Sequence, residues 1–272
     1  MSTRKLGMEL SVNALFALLV VLTVVPFLYM ALMSFRDTGL LDFSFRMDEM
    51  DLGNYVTIFK NYSFFSYFMN SLLVVGSACV LNTIFSSLAG YAFAKKQFPG
   101  KRGLFWLYLA TMIMPAQVTL IPTFIIMKQL DMLNTLTALV LPILNAFGVF
   151  LCRQFMQEGL PDELIEAARM DGCRELRLFA FIVLPLAKPV LVSLAVFTFI
   201  TTWNDFIWPL VIITDSTKMT LTLALSTLQT SYTTNYGLVT AGATLTFLPP
   251  FLFYLFMQRQ FVEGIAFSGI KG

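Results

Sequence analysis

Six apolar runs, near residues 12–35, 70–93, 104–127, 134–152, 183–213 and 238–257, leave this chain little choice of solvent. A run of roughly 17–25 apolar residues crosses a bilayer as a helix. The fourth run is short and the fifth long, which points to a strong tilt or a partly re-entrant path. In lipid no water satisfies backbone N–H and C=O groups, so runs of this length are stable as helices. The chain is 57% apolar and only 12% charged, with a mean hydropathy of +0.76. Soluble domains carry about 25% charged residues, and no polar run here is long enough to build one. The expected fold is therefore an all-α membrane protein, a single domain over residues 1–272 with six transmembrane helices and short loops. Val12 to Phe35 is too long for a signal-peptide core and has no convincing cleavage site after it, so it is expected to remain as a membrane helix.

Net charge is +2, and the placement of the charges says more than the sum. With the N-terminus inside, thirteen of the eighteen basic residues fall on the cytoplasmic side: Arg4, Lys5, Lys95, Lys96, Lys101, Arg102, Arg153, Arg169, Arg174, Arg177, Lys188, Arg259 and Lys271. Arg36, Arg46, Lys60, Lys128 and Lys218 fall outside. This bias orients the bundle with both termini in the cytoplasm. The outer stretch 37–69 carries Asp37, Asp42, Asp48, Glu49 and Asp51 among aromatic residues, and reads as an interfacial amphipathic segment rather than a ligand loop. Cys79, Cys152 and Cys173 form no C-x-x-C pair, which argues against a disulfide framework or zinc site. The absence of histidine removes the commonest metal ligand and proton shuttle.

One polar stretch, 153–182, interrupts the apolar runs on the cytoplasmic side. Leu160 to Gly172 reads as a helix with marked ends: Pro161 suits the first helical position, Asp162 and Glu163 face the positive end of the dipole, and Gly172 can take the left-handed conformation that stops a helix. About eleven residues make a rod of roughly 16 Å. Leu164, Ile165 and Ala168 are expected to form an apolar edge, Ala167 and Ala168 to admit a close backbone, and Glu163, Glu166, Arg169 and Asp171 to make charged contacts at the rim. A second amphipathic stretch, Arg174 to Phe181, follows. An ordinary surface helix and a docking handle for a soluble protein fit these features equally on physics alone.

The pattern Glu166-Ala167-Ala168, Gly172, Ile182, Leu184-Pro185 resembles the EAA loop of binding-protein-dependent ABC transporter permeases. Asn54-Tyr55, Asn70-Ser71, Gly90 to Ala94, Phe98 to Lys101, Met114-Pro115, Leu120 to Pro122, Trp203 to Phe206 and the tail Gly264 to Gly272 extend the likeness to carbohydrate permeases related to the smaller maltose permease subunit. Asp205 stands where that family often has Glu. The resemblance implies the type I ABC importer permease fold, with a cytoplasmic coupling helix carrying Glu163, Glu166, Ala167, Ala168, Arg169, Asp171 and Gly172 into a cleft of an ATPase subunit. It also implies a second permease subunit as heterodimer partner, two ATPase subunits and an extracytoplasmic solute-binding protein, in a bacterial or archaeal cytoplasmic membrane, with no nucleic acid partner. The chain has no phosphate-binding loop, so it is not itself the ATPase. No cofactor is expected on this chain; ATP and Mg belong to the partner ATPases.

Gln117, Asn145, Thr202, Asn204 and Asp205 are the polar residues in spans singled out as a substrate pathway. A carboxylate within a span usually faces a protein interior or a wet cavity. For Asn204 and Asp205 the plainer reading is satisfaction of backbone groups freed near Pro209, or a gate-stabilising role, ahead of direct sugar contact. Asn82, Thr83, Thr119, Thr198 and Thr201 read as helix–helix hydrogen-bonding groups. Pro115, Pro122, Pro142 and Pro209 are expected to interrupt spans. The implied cargo is a sugar or oligosaccharide, with sn-glycerol 3-phosphate as the alternative; the lack of Arg or Lys in mid-span favours a neutral solute. A secondary transporter would normally show buried ionisable groups for ion coupling, and Asp205 alone is a poor basis for one. A membrane scaffold that only recruits a soluble partner accounts for the polar helix but not for polar groups in several spans.

Overall fold

The computed structural model describes residues 3–36, 50–228 and 235–269, with side chains described for 9–36, 50–228 and 235–258. Asp37, Asp42, Arg46, Asp48, Glu49 and Lys271 lie outside the described residues, as does the end of the tail that begins at Gly264. The side chains of Arg4, Lys5 and Arg259 lie outside them too. Among the described residues the regular structure is helical, apart from one bridge between Arg36 and Met50.

Among the described residues, three helices are long and apolar enough to cross a membrane as they stand: α1 (Thr3–Met33), α3 (Phe64–Lys95) and α14 (Tyr236–Gly269). Between α1 and α3 lies α2 (Gly53–Asn61). The remaining apolar runs fold as bent pairs, giving up to six spans if each pair is one. The run 104–127 is not one straight helix. The helical segment that opens with α4 (Lys101–Ala110) and continues to Ile113 meets α5 (Ala116–Gln129) at 105°. Pro115 supplies the reason, because its ring drives the residue before it out of helical geometry, and Met114 is extended at ψ 122°. In the fourth run α6 (Leu136–Val140) and the turn after it meet α7 (Ala146–Gly159) at 43°, past Pro142. α7 continues seven residues beyond the expected boundary at 152: hydropathy marks where the chain turns polar, not where its hydrogen bonding stops. Pro122, by contrast, does not interrupt α5, which runs through it.

The loop that follows holds α8 (Asp162–Met170) and α9 (Glu175–Leu178). A π-helical turn over Phe179–Val183 and α10 (Leu184–Leu186) lead into α11 (Lys188–Trp203) across a 77° bend. The fifth run is thus shorter as a helix than its apolar length, for α11 stops at Trp203 and Pro209 sits in a separate short helix, α12 (Ile207–Ile212). A last short helix, α13 (Leu221–Leu225), precedes α14.

The chain divides into two compact units. One comprises Met1–Phe65 with Ala224–Leu248. There Asn54 of α2 donates to the carbonyls of Ser34 and Arg36 at 3.0 and 2.8 Å, and the Tyr55 hydroxyl lies 2.7 Å from Ser34 Oγ. α2 is therefore tied to the end of α1, and its Ile58 is buried with Leu238 and Ala241 of α14. Among the described residues, none in the membrane-length window of α1 is buried, and Phe27 rests against Phe247 of α14 with ring centroids 4.9 Å apart.

The other unit comprises Ser66–Leu223 with Pro249–Gly272. Within it α3 comes close to α7. At Gly90 a Cβ would stand 2.6 Å from Cys152 Cβ and 2.9 Å from Arg153 N, so only glycine allows this approach. Asn82 donates to Thr198 Oγ1 at 2.9 Å and accepts from Ser86 at 3.0 Å, which links α3 to α11 by buried hydrogen bonds. One apolar core joins Tyr91, Cys152 and Met156 to Ile165, Leu178 and Leu194, and so connects the polar loop to three membrane-region helices.

Candidate functional site

The helix over the EAA sequence is α8, nine residues and about 14 Å long. It is two residues shorter than expected. Pro161 stands at the cap with ψ 134°, extended, rather than in the first turn, and Asp171 has left helical geometry. Asp162 and Glu163 occupy the first turn and Arg169 the last, matching the dipole at both ends. Gly172 has φ 78°. Its N–H donates to Arg169 O and the Cys173 N–H to Ala168 O, both at 3.0 Å, the paired bonds of a Schellman stop. The apolar edge is narrower than the sequence suggested. Ile165 and Ala168 are buried in the core, whereas Leu164 is 43% exposed. Ala168 therefore holds α8 down, while Glu163, Glu166, Ala167, Arg169 and Asp171 stay on the surface.

Two further contacts fasten α8 at its ends. At the N-terminal end, Lys95 of α3 donates to Leu160 O at 2.6 Å and to Asp162 Oδ1 at 2.7 Å, with only 6% of its own side chain exposed. At the C-terminal end, Glu175 accepts from Arg169 Nε at 3.0 Å, from the Tyr91 hydroxyl at 3.2 Å and from Lys96. Tyr91, Lys95 and Lys96 are the last turn of α3 and the residue after it, so one long helix grips both ends of the short one. Glu175 lies in the polar loop, outside the spans. Hydrogen bonding from Lys96 above all, then the charges of Lys96 and Arg169, holds its carboxyl below the ordinary glutamate value against the opposing effect of burial. α8 is thus joined to α3 through charged hydrogen bonds and to α7 and α11 through the apolar core.

The five pathway residues do not converge on one place. Gln117 and Asp205 line a cleft of about 290 Å³ with Thr119, Thr123, Pro142 and Trp208. Asn145 lines a different one, of about 410 Å³, with Asn82, Ser86 and Tyr108, and its side chain also caps α7 by accepting from Gly148 N at 3.2 Å. Asn204 is exposed and donates to Ile200 O at 2.9 Å, an end carbonyl of α11; Asp205 Oδ1 accepts from Trp208 N at 3.4 Å as α12 begins. Both serve backbone groups at the break before Pro209. Thr202 Oγ1 is buried without a hydrogen-bond partner among the described residues.

A family model described as "binding-protein-dependent transport system inner membrane component" matches residues 82–266, which spans α8, the Lys95 contacts and both clefts. The chain belongs to this family. The permease is 36% identical over 264 residues to the arabinooligosaccharides transport system permease protein AraQ of Halalkalibacterium halodurans, covering 94% of each chain. It is 39% identical over 219 residues to the sn-glycerol-3-phosphate transport system permease protein UgpE of Pectobacterium atrosepticum, covering 79% of this chain and 76% of that one. A chain from the crystal structure of a bacterial ABC transporter involved in the import of the acidic polysaccharide alginate superposes with a TM-score of 0.83, covering 95% of this permease and 98% of that chain at 22% identity. That likeness establishes the all-helical ABC importer permease fold.

The sequence left several residues in and against the permease's polar loop without a role. Lys95 and Lys96 counted there only as inside charges, and Glu175 as part of an amphipathic stretch. A basic pair ending a span, with an acid at each end of a later short helix, was the available signal. Exposed Met170 (89%), Leu176 (79%) and Phe181 (75%) were also missed. With Leu164 they put large apolar side chains onto an otherwise charged surface.

Proposed function

We propose that this permease is a transmembrane subunit of an ATP-driven importer that moves a neutral sugar or oligosaccharide by alternating access. It has six spans, both termini in the cytoplasm, and α8 as the helix through which a partner ATPase acts. The observation that carries this reading is the build of α8: its acidic and apolar outer face is free, while its inner face and both ends are fastened to the membrane helices. A ligand shifts an equilibrium only through contacts that differ between the two states, and an ATPase holding α8 makes such a contact. Partner ATPases bind and hydrolyse ATP with Mg; a second permease completes the pathway, and an extracytoplasmic binding protein delivers the solute. The membrane is the bacterial cytoplasmic membrane.

The relatives and the Gln117–Asp205 cleft support this choice of solute class. Trp208 offers an aromatic face beside amide, carboxylate and hydroxyl groups, a set suited to sugar hydroxyls. Among the described residues no Arg or Lys lines this cleft, which favours a neutral sugar over the sn-glycerol 3-phosphate named for one relative. The test is uptake into proteoliposomes containing the assembled importer and its binding protein. Uptake should require internal ATP and survive collapse of the proton and sodium gradients; uptake that follows those gradients without ATP would establish a secondary transporter instead. Glu166→Lys and Gly172→Pro should leave membrane insertion intact and abolish uptake while ATP hydrolysis continues. Normal uptake by both variants at normal protein levels would reject the coupling role.

A further inference from the structure

A third cleft, unused by the transport reading, opens where α4 begins. It has a volume of about 690 Å³, within the roughly 300–1,000 Å³ of small-molecule sites. Phe93, Phe105 and Phe150 form part of its wall, and Lys101, Arg102 and Arg153 contribute three cations to its lining. Among the described residues no carboxylate lines it. Among the described residues, the ion pairs of this unit use Lys95, Lys96, Arg169 and Lys218, and none of the three cations has an acidic partner. Lys101 Nζ donates instead to Lys96 O at 2.7 Å, and the Arg153 guanidinium lies over the Phe105 ring, 4.1 Å from its centroid.

Three positive charges, two of them partly enclosed and the exposed Arg102 at the rim, stand beside apolar walls and call for an anion. The adjoining surface specifies what kind. Leu104, Trp106 and Leu107 follow directly along α4 and are 52%, 61% and 68% exposed. Tryptophan at such a polar-to-apolar boundary marks headgroup depth. A ligand that satisfies both the charged cleft and the apolar helix face has an anionic head and hydrocarbon tails. Basic pockets between membrane helices select such lipids.

We infer that this cleft binds the phosphate headgroup of an anionic phospholipid, with its acyl chains laid along Leu104 and Leu107. The site lies one turn of chain beyond Lys95 and Lys96, so a bound lipid would brace the end of α3 that grips α8. The test uses the full chain, delipidated in neutral detergent and titrated with dioctanoyl phosphatidylglycerol, dioctanoyl phosphatidylcholine or inorganic phosphate, with bound ligand read by native mass spectrometry. Phosphatidylglycerol should bind in preference to phosphatidylcholine. Each charge removed by Lys101→Gln, Arg102→Gln or Arg153→Gln should weaken it about fivefold, and Lys60→Gln in α2 should not. Arg102 is exposed, so its variant tests charge without disturbing the Arg153–Phe105 contact, and it decides the matter if the others fail to fold. Equal binding of the two lipids, or undiminished binding by Arg102→Gln, would overturn the site as a solvated rim. Displacement by inorganic phosphate at equal concentration would overturn the lipid in favour of a free anion. None of these outcomes depends on which solute is carried.

Discussion

Gly172 and Glu175 set the shape of the loop at the scale of single residues, by different physics. A Cβ at Gly172 would meet nothing within 4 Å. The site has room for a side chain, and what excludes one is the backbone: a left-handed residue other than glycine costs about 1–2 kcal/mol. Gly172→Ala should therefore destabilise the end of α8 by about that amount, seen as faster amide exchange over 165–173, and Gly172→Asn should lose less because Asn tolerates this conformation. Glu175 works through charge. Its carboxyl titrates lower in the folded protein than in the unfolded chain, so the stability it lends is present above the unfolded value near 4.3 and is lost as pH falls through the folded one. Thermal melts of the wild type should drop across that acid window, and Glu175→Gln should flatten the drop. An unchanged pH profile in the variant would mean that the Lys96–Glu175–Arg169 contacts contribute nothing to the fold.

The element that matters most is the pair α3 and α8. Lys95 buries its stem and satisfies Leu160 O, and a hydrogen bond from a charged donor is worth about 1.5–3 kcal/mol; its ion pair with the 74%-exposed Asp162 adds little. Lys95→Met keeps the stem and removes the donor. Hydrogen exchange should then rise selectively over 160–170, with α3 and α7 protected as before. Ile165→Ala should loosen α8 more, by about 2–5 kcal/mol, because it empties a packed position. How far this element could be read beforehand follows from its parts. The stop at Gly172 and the acidic first turn are local chemistry, and α8 appears where those signals put it. The grip by Tyr91, Lys95 and Lys96 joins positions 65 to 84 residues apart, and nothing in a single sequence pairs them. The same division explains the third run. Its apolar length was plain and Pro115 was a breaker, but a 105° turn, against the unbroken path of α5 through Pro122, depends on what each segment packs against. The pathway residues were legible only as polar groups in apolar runs. That Gln117 and Asp205 line one cleft while Asn145 lines another is tertiary information.

For the molecule as a whole, the family and the helical fold account for the surplus of apolar surface, and the polar loop accounts for the exception. Its free face presents Glu163, Glu166 and exposed Met170 to the outside, and its anchored face leads through the core to α3, α7 and α11. The account turns on one contact, between that free face and a nucleotide-hydrolysing partner. Photo-crosslinking from a benzophenone amino acid at Met170, in membranes that hold the complete importer, tests it most directly. The account predicts a crosslink to the ATPase subunit whose yield changes between nucleotide-free and ATP-bound states. Crosslinks to lipid or to extracytoplasmic protein alone would contradict it.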